Sequence, residues 1–310
     1  MSERLPADVE ELALDVDGRA IVALRRRPLG PPPRASDGVG GADVPRALCL
    51  HGWLDNAASF VPLMPYLPHV DLVALDLPGH GASDPLENGY SLAEMAYRVR
   101  RAMQRLGWER CHLVGHSMGG CIAPLLVVAA PDAIDSLILL EASGPLSEEA
   151  DALPARLARH LAERLDGERF ASRTFPGPEA AVAARLKAAR MAPASARLII
   201  DRQIVPTEGG WRWRFDSRLR GASAQYQTEA QVRAVLGAVP CPTLTVIAAN
   251  GFLASRPDTE PRLACLGDRV SLTLPGNHHV HMDTPEPVAA AMNRFLGTTP
   301  APASTAARDG

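Results

Sequence analysis

The chain has 310 residues, 46% of them hydrophobic, and a formal net charge of -3, so it carries enough apolar material for a sizeable core. The small net charge and the lack of a basic stripe with interleaved aromatic residues exclude a typical nucleic-acid partner, and no apolar stretch approaches the length of a membrane span. Five scattered cysteines and an N-terminus without a signal sequence are typical of a soluble cytoplasmic protein, for which we predict no metal and no cofactor.

The first 45 residues predict a hairpin followed by an irregular loop. Residues 12–16 and 20–24 alternate between apolar and polar positions on either side of Asp17 and Gly18, which is typical of a hairpin. Residues 28–45 are rich in Pro and Gly, and we expect them to be solvated and mobile.

Apolar runs and helical patterns alternate through the next hundred residues. The apolar runs have the length of buried parallel strands, and they lie at residues 47–50, 70–75, 136–140 and directly before Ser117. Helical patterns separate them, at residues 60–67, from a cap at Ser91 to about Leu106, and after Ser117. This alternation predicts a doubly wound, mostly parallel sheet.

The alternation stops at residue 144 and resumes after residue 225. Residues 144–225 are rich in Ala, Arg and Leu, with prolines between short helical patterns, and they predict an inserted helical cap. The predicted core comprises residues 46–143 and 226–297, with strands at 243–248 and 270–274 and helices near 262–266 and 287–296; residues 298–310 are expected to be a disordered tail. Residues 211–216 are consistent with a strand-like edge, a substrate-facing wall or, as we prefer, the joint between cap and core.

The turn around Ser117 is the most informative segment. Gly115 and Gly119 flank this serine in the pattern G-x-S-x-G, between a strand pattern and a helix pattern. Glycine lets a strained backbone pass close to its neighbours while the serine hydroxyl stays exposed, as in a nucleophile elbow. An ordinary Gly-rich turn is the alternative, so the partners of the serine must decide.

A serine hydroxyl becomes a good nucleophile when a histidine takes its proton and a carboxylate orients that histidine. His278, His279 and His281 follow the last predicted strand, where a base would face the strand ends. We predict His278 as the base, because it comes first after a turn of small residues and has the opposite parity from His279. His279 and His281 then line a pocket or satisfy loop hydrogen bonds. A metal site is disfavoured, because no second group of ligands lies at a suitable spacing.

Together these segments resemble the α/β-hydrolase superfamily and, within it, the serine hydrolase-like proteins. The resemblance covers roughly residues 46–296 and rests on four motifs, which are His51-Gly52-Trp53 and the segments 76–83, 115–120 and 275–282. It implies an α/β-hydrolase fold, with a mostly parallel, doubly wound eight-stranded sheet and an inserted helical cap. It also implies Ser117 as the nucleophile, His278 as the general base, and the backbone N–H groups of Trp53 and Met118 as the oxyanion hole.

The acid of the triad departs from the common pattern of this superfamily. Many α/β-hydrolases place an aspartate directly after the strand that corresponds to residues 243–248, but here the first carboxylate after it is Asp258. We prefer Glu141, because it ends the strand after the elbow helix, where some relatives keep their acid. A purely structural role for Glu141 is the alternative. Asp76 and Asp283 are expected to be structural, the former in the turn at residues 79–81.

The resemblance implies acyl chemistry on a small-molecule substrate. We expect a serine hydrolase that cleaves a small or hydrophobic carboxylic ester, with four possible pocket residues, His51, Gly52, His116 and His279. Serine at the elbow argues against epoxide hydrolase and dehalogenase chemistry, which uses an aspartate nucleophile. A C–C bond hydrolase, a lactonase, a perhydrolase or an acyltransferase on the same triad remains an alternative, and a non-catalytic binding protein is an alternative of another class.

Overall fold

The structure is a computed structural model that describes residues 5–30, 44–166, 169–170 and 174–298. Most of the predicted loop at 28–45 and nearly all of the predicted tail at 298–310 therefore lie outside the described residues.

An eight-stranded sheet forms the centre of the molecule. The strands of the described residues are β1 Val9–Val16, β2 Arg19–Arg26, β3 Arg46–Leu50, β4 Asp71–Leu75, β5 Cys111–His116, β6 Ile134–Leu140, β7 Thr174–Phe175, β8 Ile204–Thr207, β9 Gly210–Trp213, β10 Thr243–Ala248 and β11 Arg269–Leu274. The order of the strands in the large sheet is β1-β2-β4-β3-β5-β6-β10-β11. The β1–β2 hairpin is antiparallel and β2 runs antiparallel to β4, whereas all other neighbours in this sheet are parallel. The predicted mostly parallel, eight-stranded sheet is thus confirmed.

Helices cover the sheet and build the inserted segment. The α-helices of the described residues are α1 Leu92–Arg105, α2 Met118–Ala129, α3 Leu153–Leu165, α4 Pro178–Ala188, α5 Pro193–Gln203, α6 Glu229–Gly237, α7 Thr259–Leu263, α8 Val280–Asp283 and α9 Pro285–Phe295. The helical pattern predicted at residues 60–67 forms a 3-10 helix, Ala57–Tyr66. Pro62 and Pro65 lie inside it, and prolines in these positions disfavour a regular α-helix because they lack the N–H donor.

The central strands contribute to two separate cores, one on each face of the sheet. In β3, Leu48 and Leu50 pack into the core that also holds residues of α1, α2 and α6. Ala47 and Cys49 pack into the opposite core, with the 3-10 helix and α9. Burial on both faces explains why these parallel strands are continuous apolar runs in the sequence.

The inserted segment contains a small sheet besides its helices. The strands β7, β9 and β8 form an antiparallel sheet. β9 covers part of the alternating segment 211–216, for which a strand-like edge was one of the interpretations. β7 and β8 were not predicted, because strands of 2 and 4 residues are too short to give a periodic pattern. The N–H of Asp216 then donates to Gly79 O at 2.8 Å, and its Oδ2 accepts from the Tyr90 hydroxyl at 2.6 Å. This agrees with the preferred interpretation of the segment as a joint.

No helix in the described part of the chain combines the length and the apolar composition needed to cross a bilayer.

Candidate active site

The site lies at the carboxyl ends of the parallel strands, where β5 turns sharply into α2. Ser117 occupies this turn with a φ of 49° and a ψ of -112°, which is strained for a residue with a side chain. The turn also packs tightly against β3, because the N–H of Gly119 donates to His51 O at 3.1 Å, and a Cβ at position 119 would overlap the carbonyl group of Leu50. The glycine pattern therefore reflects close packing as well as the turn itself.

His278 lies between Ser117 and Glu141. Its Nε2 is 2.9 Å from Ser117 Oγ, and its Nδ1 is 3.1 Å from Glu141 Oε2. With a proton on Nδ1, the imidazole donates to the carboxylate and accepts from the serine hydroxyl. This arrangement is able to activate a serine, because the base is oriented by a third group.

Glu141 is held firmly at the end of β6. Its side chain is fully buried, and its Oε1 accepts the N–H of Ala248 at 2.7 Å. Its backbone has a φ of 49°, which turns the side chain out of the strand direction towards β10. The carboxylate lies directly above Gly251, where a Cβ would overlap it. The carboxylate from β6 therefore occupies the space beside the loop that follows β10.

The other carboxylates considered in the sequence analysis have different partners. Asp258 pairs with Arg256 at 2.6 Å and with Arg262 at 3.2 Å. Asp76 accepts the N–H groups of Ala57 and Ala82, each at 2.8 Å, and so fixes the turn after β4. Asp283 accepts the N–H of Ala192 and the hydroxyl of Ser195, which stabilises the start of α5.

The amides predicted as the oxyanion hole lie on adjoining segments. Trp53 belongs to the turn after β3, and Met118 is the first residue of α2. Within the described residues, neither backbone N–H donates to another group. Both amides therefore remain available to an oxygen of a substrate.

A buried cluster of histidines supports the loop that carries His278. His116 Nε2 lies 2.9 Å from His278 O, so its N–H donates to this backbone oxygen. His279 Nε2 lies 3.3 Å from Asp55 Oδ2, and the guanidinium of Arg185 from α4 bonds both His279 and Asp55. The ring of His281 lies 4.2 Å from that of His116, between centroids. The contacts of Arg185 join the inserted segment to the loop beside the candidate oxyanion hole.

Burial determines the charge states in this cluster. Burial, together with the neighbouring histidines, lowers the pKa of His116 well below its usual value and that of His281 to about 3. Burial alone would raise the pKa of Asp55, but the Arg185 guanidinium and His279 hold it well below its usual range. His116 and His281 are therefore neutral, and Asp55 forms a buried ion pair with Arg185.

A cavity of about 2470 Å³ reaches from Ser117 and His278 to the inserted segment. Of the four possible pocket residues, His279 lines this cavity, whereas His51, Gly52 and His116 do not. The side chains of His51 and His116 are fully buried and form hydrogen bonds with the backbone of the loops around the site. His51 Nε2 accepts the N–H of Leu77 at 3.0 Å, and His116 Nε2 donates to His278 O. The sequence analysis missed several wall residues, which are Asn250, Phe252, Leu253, Arg156, His160 and Tyr226.

Phe252 is the missed residue with the clearest signal in the sequence. It lies two residues beyond Asn250 in the loop after β10, and its ring packs edge-on against His278 at 5.9 Å between centroids. An aromatic residue in the loop that follows a parallel strand is a reasonable candidate for a cavity wall, because loops at the carboxyl ends of the strands surround the site.

The described residues contain no group of three or more His, Cys, Asp or Glu side chains arranged to hold a metal ion.

Comparison with known proteins identifies the family of this chain. A family model for the alpha/beta hydrolase fold matches residues 45–285. The chain belongs to the α/β-hydrolase family. The resemblance inferred from the four motifs is thereby confirmed.

The relatives of this α/β-hydrolase include curated proteins and solved structures. It is 28% identical to a serine hydrolase-like protein of Danio rerio over 262 residues, which cover 80% of each chain. It resembles the crystal structure of a hypothetical protein from Pseudomonas aeruginosa PAO1, with 34% identity and a TM-score of 0.82 over 93% of this chain and 99% of that one. It also resembles the thioesterase domain from the curacin biosynthetic pathway, with 25% identity and a TM-score of 0.77 over 94% and 99% of the two chains. The names of the serine hydrolase-like protein and of the thioesterase domain support a hydrolase.

Proposed function

We propose that this α/β-hydrolase is a serine hydrolase of carboxylic esters that acts through Ser117, His278 and Glu141. The observation that carries the proposal is the position of His278, whose two ring nitrogens lie within hydrogen-bond distance of the other two side chains. The similarity to serine hydrolase-like proteins supports the same chemistry.

In the first half of the reaction, Ser117 Oγ forms a bond to the ester carbonyl carbon while His278 Nε2 takes the hydroxyl proton. The N–H groups of Trp53 and Met118 stabilise the negative charge that develops on the carbonyl oxygen. The bond to the alkoxy oxygen then breaks, and His278 gives its proton to the leaving alcohol. The acyl group remains on Ser117.

In the second half, water attacks the acyl carbon and gives a proton to His278. The bond to Ser117 Oγ breaks, the serine recovers the proton, and the carboxylic acid leaves. Glu141 stabilises the imidazolium in both halves, and this interaction is strong because the carboxylate is buried away from water.

The walls of the cavity support a substrate with a hydrophobic acyl or alcohol group. Met118, Leu125, Leu146, Phe252 and Leu253 all contribute to it. Apolar side chains are typical of the walls of sites for small organic ligands, and polar side chains such as Arg156, Tyr226 and Arg256 line other parts of the same cavity.

The proposal is tested by fluorophosphonate labelling and by hydrolysis of a panel of aryl esters. We expect covalent labelling of the wild type at Ser117 and turnover of at least one ester, whereas Ser117→Ala loses the label and at least about 10³-fold in kcat/KM. Ser223→Ala is the matched control, because Ser223 lies on the same cavity wall without a histidine partner in the described chain. It should label and turn over like the wild type.

The outcomes separate the remaining functions. The panel includes thioesters, because a thioesterase domain is among the similar structures, and also lactones and β-diketones. A labelled serine with turnover in another substrate class keeps the triad and replaces the ester. A folded wild-type protein that neither labels nor turns over any substrate would contradict the proposal and favour a binding protein.

A further inference from the structure

His116 links the proposed nucleophile to the proposed base through the backbone. It is the last residue of β5 and directly precedes Ser117, and its Nε2 lies 2.9 Å from the backbone oxygen of His278, to which its N–H donates. The side chain of His116 is fully buried and does not line the cavity. Any effect of this side chain on the reaction therefore has to pass through the residues that it holds.

The bond from His116 holds a stretch of loop that has little other support. On one side of this stretch, the backbone oxygen of Gly276 accepts a hydrogen bond from the loop after β10, and on the other side that of His279 accepts two from α8. Between them, the backbone of residues 277–278 makes no other hydrogen bond within the described chain. His116 therefore supplies the one hydrogen bond that fixes the backbone of the base itself.

The ring of His116 carries its proton on Nε2. Burial and the neighbouring histidines hold the pKa of His116 well below its usual value, so the ring is neutral and has one N–H. Because a carbonyl oxygen only accepts, the contact with His278 O requires this N–H on Nε2. Nδ1 is then a buried acceptor without a partner in the described chain, and Asp55 Oδ2 lies 3.8 Å from it. An unpaired buried acceptor costs stability, so stability alone does not account for a histidine at this position.

We infer that His116 is a positioning residue for the base, an inference that rests on the proposed function. Its N–H holds the backbone of His278 at the place from which the ring reaches both Ser117 and Glu141. Proton transfer from Ser117 Oγ to Nε2, which are 2.9 Å apart, needs a hydrogen bond of about this length, and a misplacement of about 1 Å costs roughly 10²-fold in rate. Loss of the bond should therefore lower kcat and change KM little, because the cavity wall stays intact.

Three substitutions at His116 separate the hydrogen bond from the bulk of the ring. His116→Gln extends an amide N–H to about the position of Nε2, whereas His116→Asn is too short to reach His278 O and His116→Leu has no donor. On an aryl ester that the wild type cleaves, we expect kcat to fall about 10²-fold in His116→Leu and His116→Asn, but by less than about fivefold in His116→Gln. Circular dichroism verifies that each variant is folded, and His116→Asn takes the place of His116→Leu if the latter is not.

His281→Leu is the matched control. His281 is fully buried like His116, its ring lies 4.2 Å from that of His116 between centroids, and neither of its ring nitrogens has a hydrogen-bond partner in the described chain. This variant removes a buried imidazole from the same cluster and leaves the bond to His278 O in place. It should keep the kcat of the wild type.

Crystal structures of the variants supply a readout that does not depend on turnover. We expect the distance from His278 Nε2 to Ser117 Oγ to exceed about 3.5 Å in His116→Leu and to stay near 2.9 Å in His116→Gln. Full activity of His116→Leu, an equal loss in His116→Gln, or an unchanged His278 in His116→Leu would each overturn the inference. A wild type without ester turnover contradicts the proposed function instead, and the structures then still decide whether His116 positions His278.

Discussion

Glu141 follows the last residue of β6, and its side chain reaches His278 because its backbone is no longer extended but has a φ of 49°. Ser117 has the same φ. A positive φ is costly for residues with a side chain, and such strain tends to persist where the surrounding structure fixes a functional group. At the scale of single residues, two of the three side chains of the proposed triad therefore occupy strained positions that the packing maintains.

The assignment of the acid is open to a direct comparison of two isosteric substitutions. Glu141→Gln should lower kcat on the order of 10⁴-fold, because the amide no longer fixes the tautomer of His278 or stabilises its charged form. Asp258→Asn should change kcat only slightly, since Asp258 pairs with Arg256 and Arg262. Steady-state kinetics on an ester that the wild type cleaves decides between them. Severe loss in Asp258→Asn with a mild effect of Glu141→Gln would reverse the assignment.

Gly251 offers a test that leaves every proposed catalytic group in the chain. Gly251→Ala places a methyl group where the Glu141 carboxylate now lies, so the carboxylate has to shift. A displacement of about 1 Å costs roughly 10²-fold in rate, and we expect that loss in kcat with little change in thermal stability. Gly209→Ala is the control, because its added Cβ meets no atom within 4 Å. Full activity in Gly251→Ala would show that the position of the Glu141 carboxylate does not matter for catalysis.

At the scale of elements, the inserted segment is fastened to the core by a buried ion pair. Arg185 of α4 pairs with Asp55, whose side chain is 1% exposed, in the loop that follows β3. A buried carboxylate is tolerated because its partner compensates for the loss of water. The pair therefore ties α4 to the loop that carries Trp53, one of the proposed oxyanion donors.

Removal of the cation should be costly. Arg185→Met keeps most of the side-chain volume but leaves Asp55 buried with no guanidinium, and we expect the free energy of unfolding to fall by about 3–5 kcal/mol in urea titrations at pH 7.5. Asp55→Asn in the same chain should recover part of this loss. Arg197→Met is the control on the neighbouring helix α5, because the pairs of Arg197 are more exposed. A loss of the same size in both single variants would contradict the prediction.

The elements of the core were predictable because each has a local cause. Buried strands such as β3 and β4 are apolar runs, and the turn around Ser117 is marked by its glycines. The pairing of Ser117 with His278 was predicted from the position of the histidines after the last strand, where a base faces the strand ends, and the motif resemblance implied the same pair. The Arg185–Asp55 ion pair could not be predicted from the sequence, because it depends on how α4 packs on the core. The choice of His51 and His116 as pocket residues failed for the same reason: both lie near the site, but their side chains point into the packed interior.

At the scale of the whole molecule, the interior contains histidines that the folded state keeps neutral. Burial lowers the pKa of His80 and of His281 to about 3. An unfolded histidine binds its proton near pH 6.5. Below that pH these histidines are protonated in the unfolded chain but not in the folded chain. The free energy of unfolding therefore falls by about 1.4 kcal/mol per pH unit for each such histidine, until the pH reaches the pKa of the folded state.

His281 isolates this effect, because neither of its ring nitrogens has a hydrogen-bond partner in the described chain and its ring packs against Phe60. His281→Leu should therefore reduce the loss of stability between pH 6.5 and pH 5 by about 2 kcal/mol. Urea titrations of both proteins at these two pH values measure the difference, with pH 8 as the reference. An unchanged pH dependence would mean that His281 is protonated in the folded protein.

The place of Glu141 on β6 has a consequence for redesign. The loop after β10 contributes Phe252 and Leu253 to the cavity wall, but no member of the proposed triad. Gly251 must stay small and the ring of Phe252 packs against His278, but the remaining side chains of this loop can be exchanged without removal of a proposed catalytic group. Grafting of this loop outside residues 251 and 252 is therefore a route to new substrate preferences with Ser117, His278 and Glu141 kept in place.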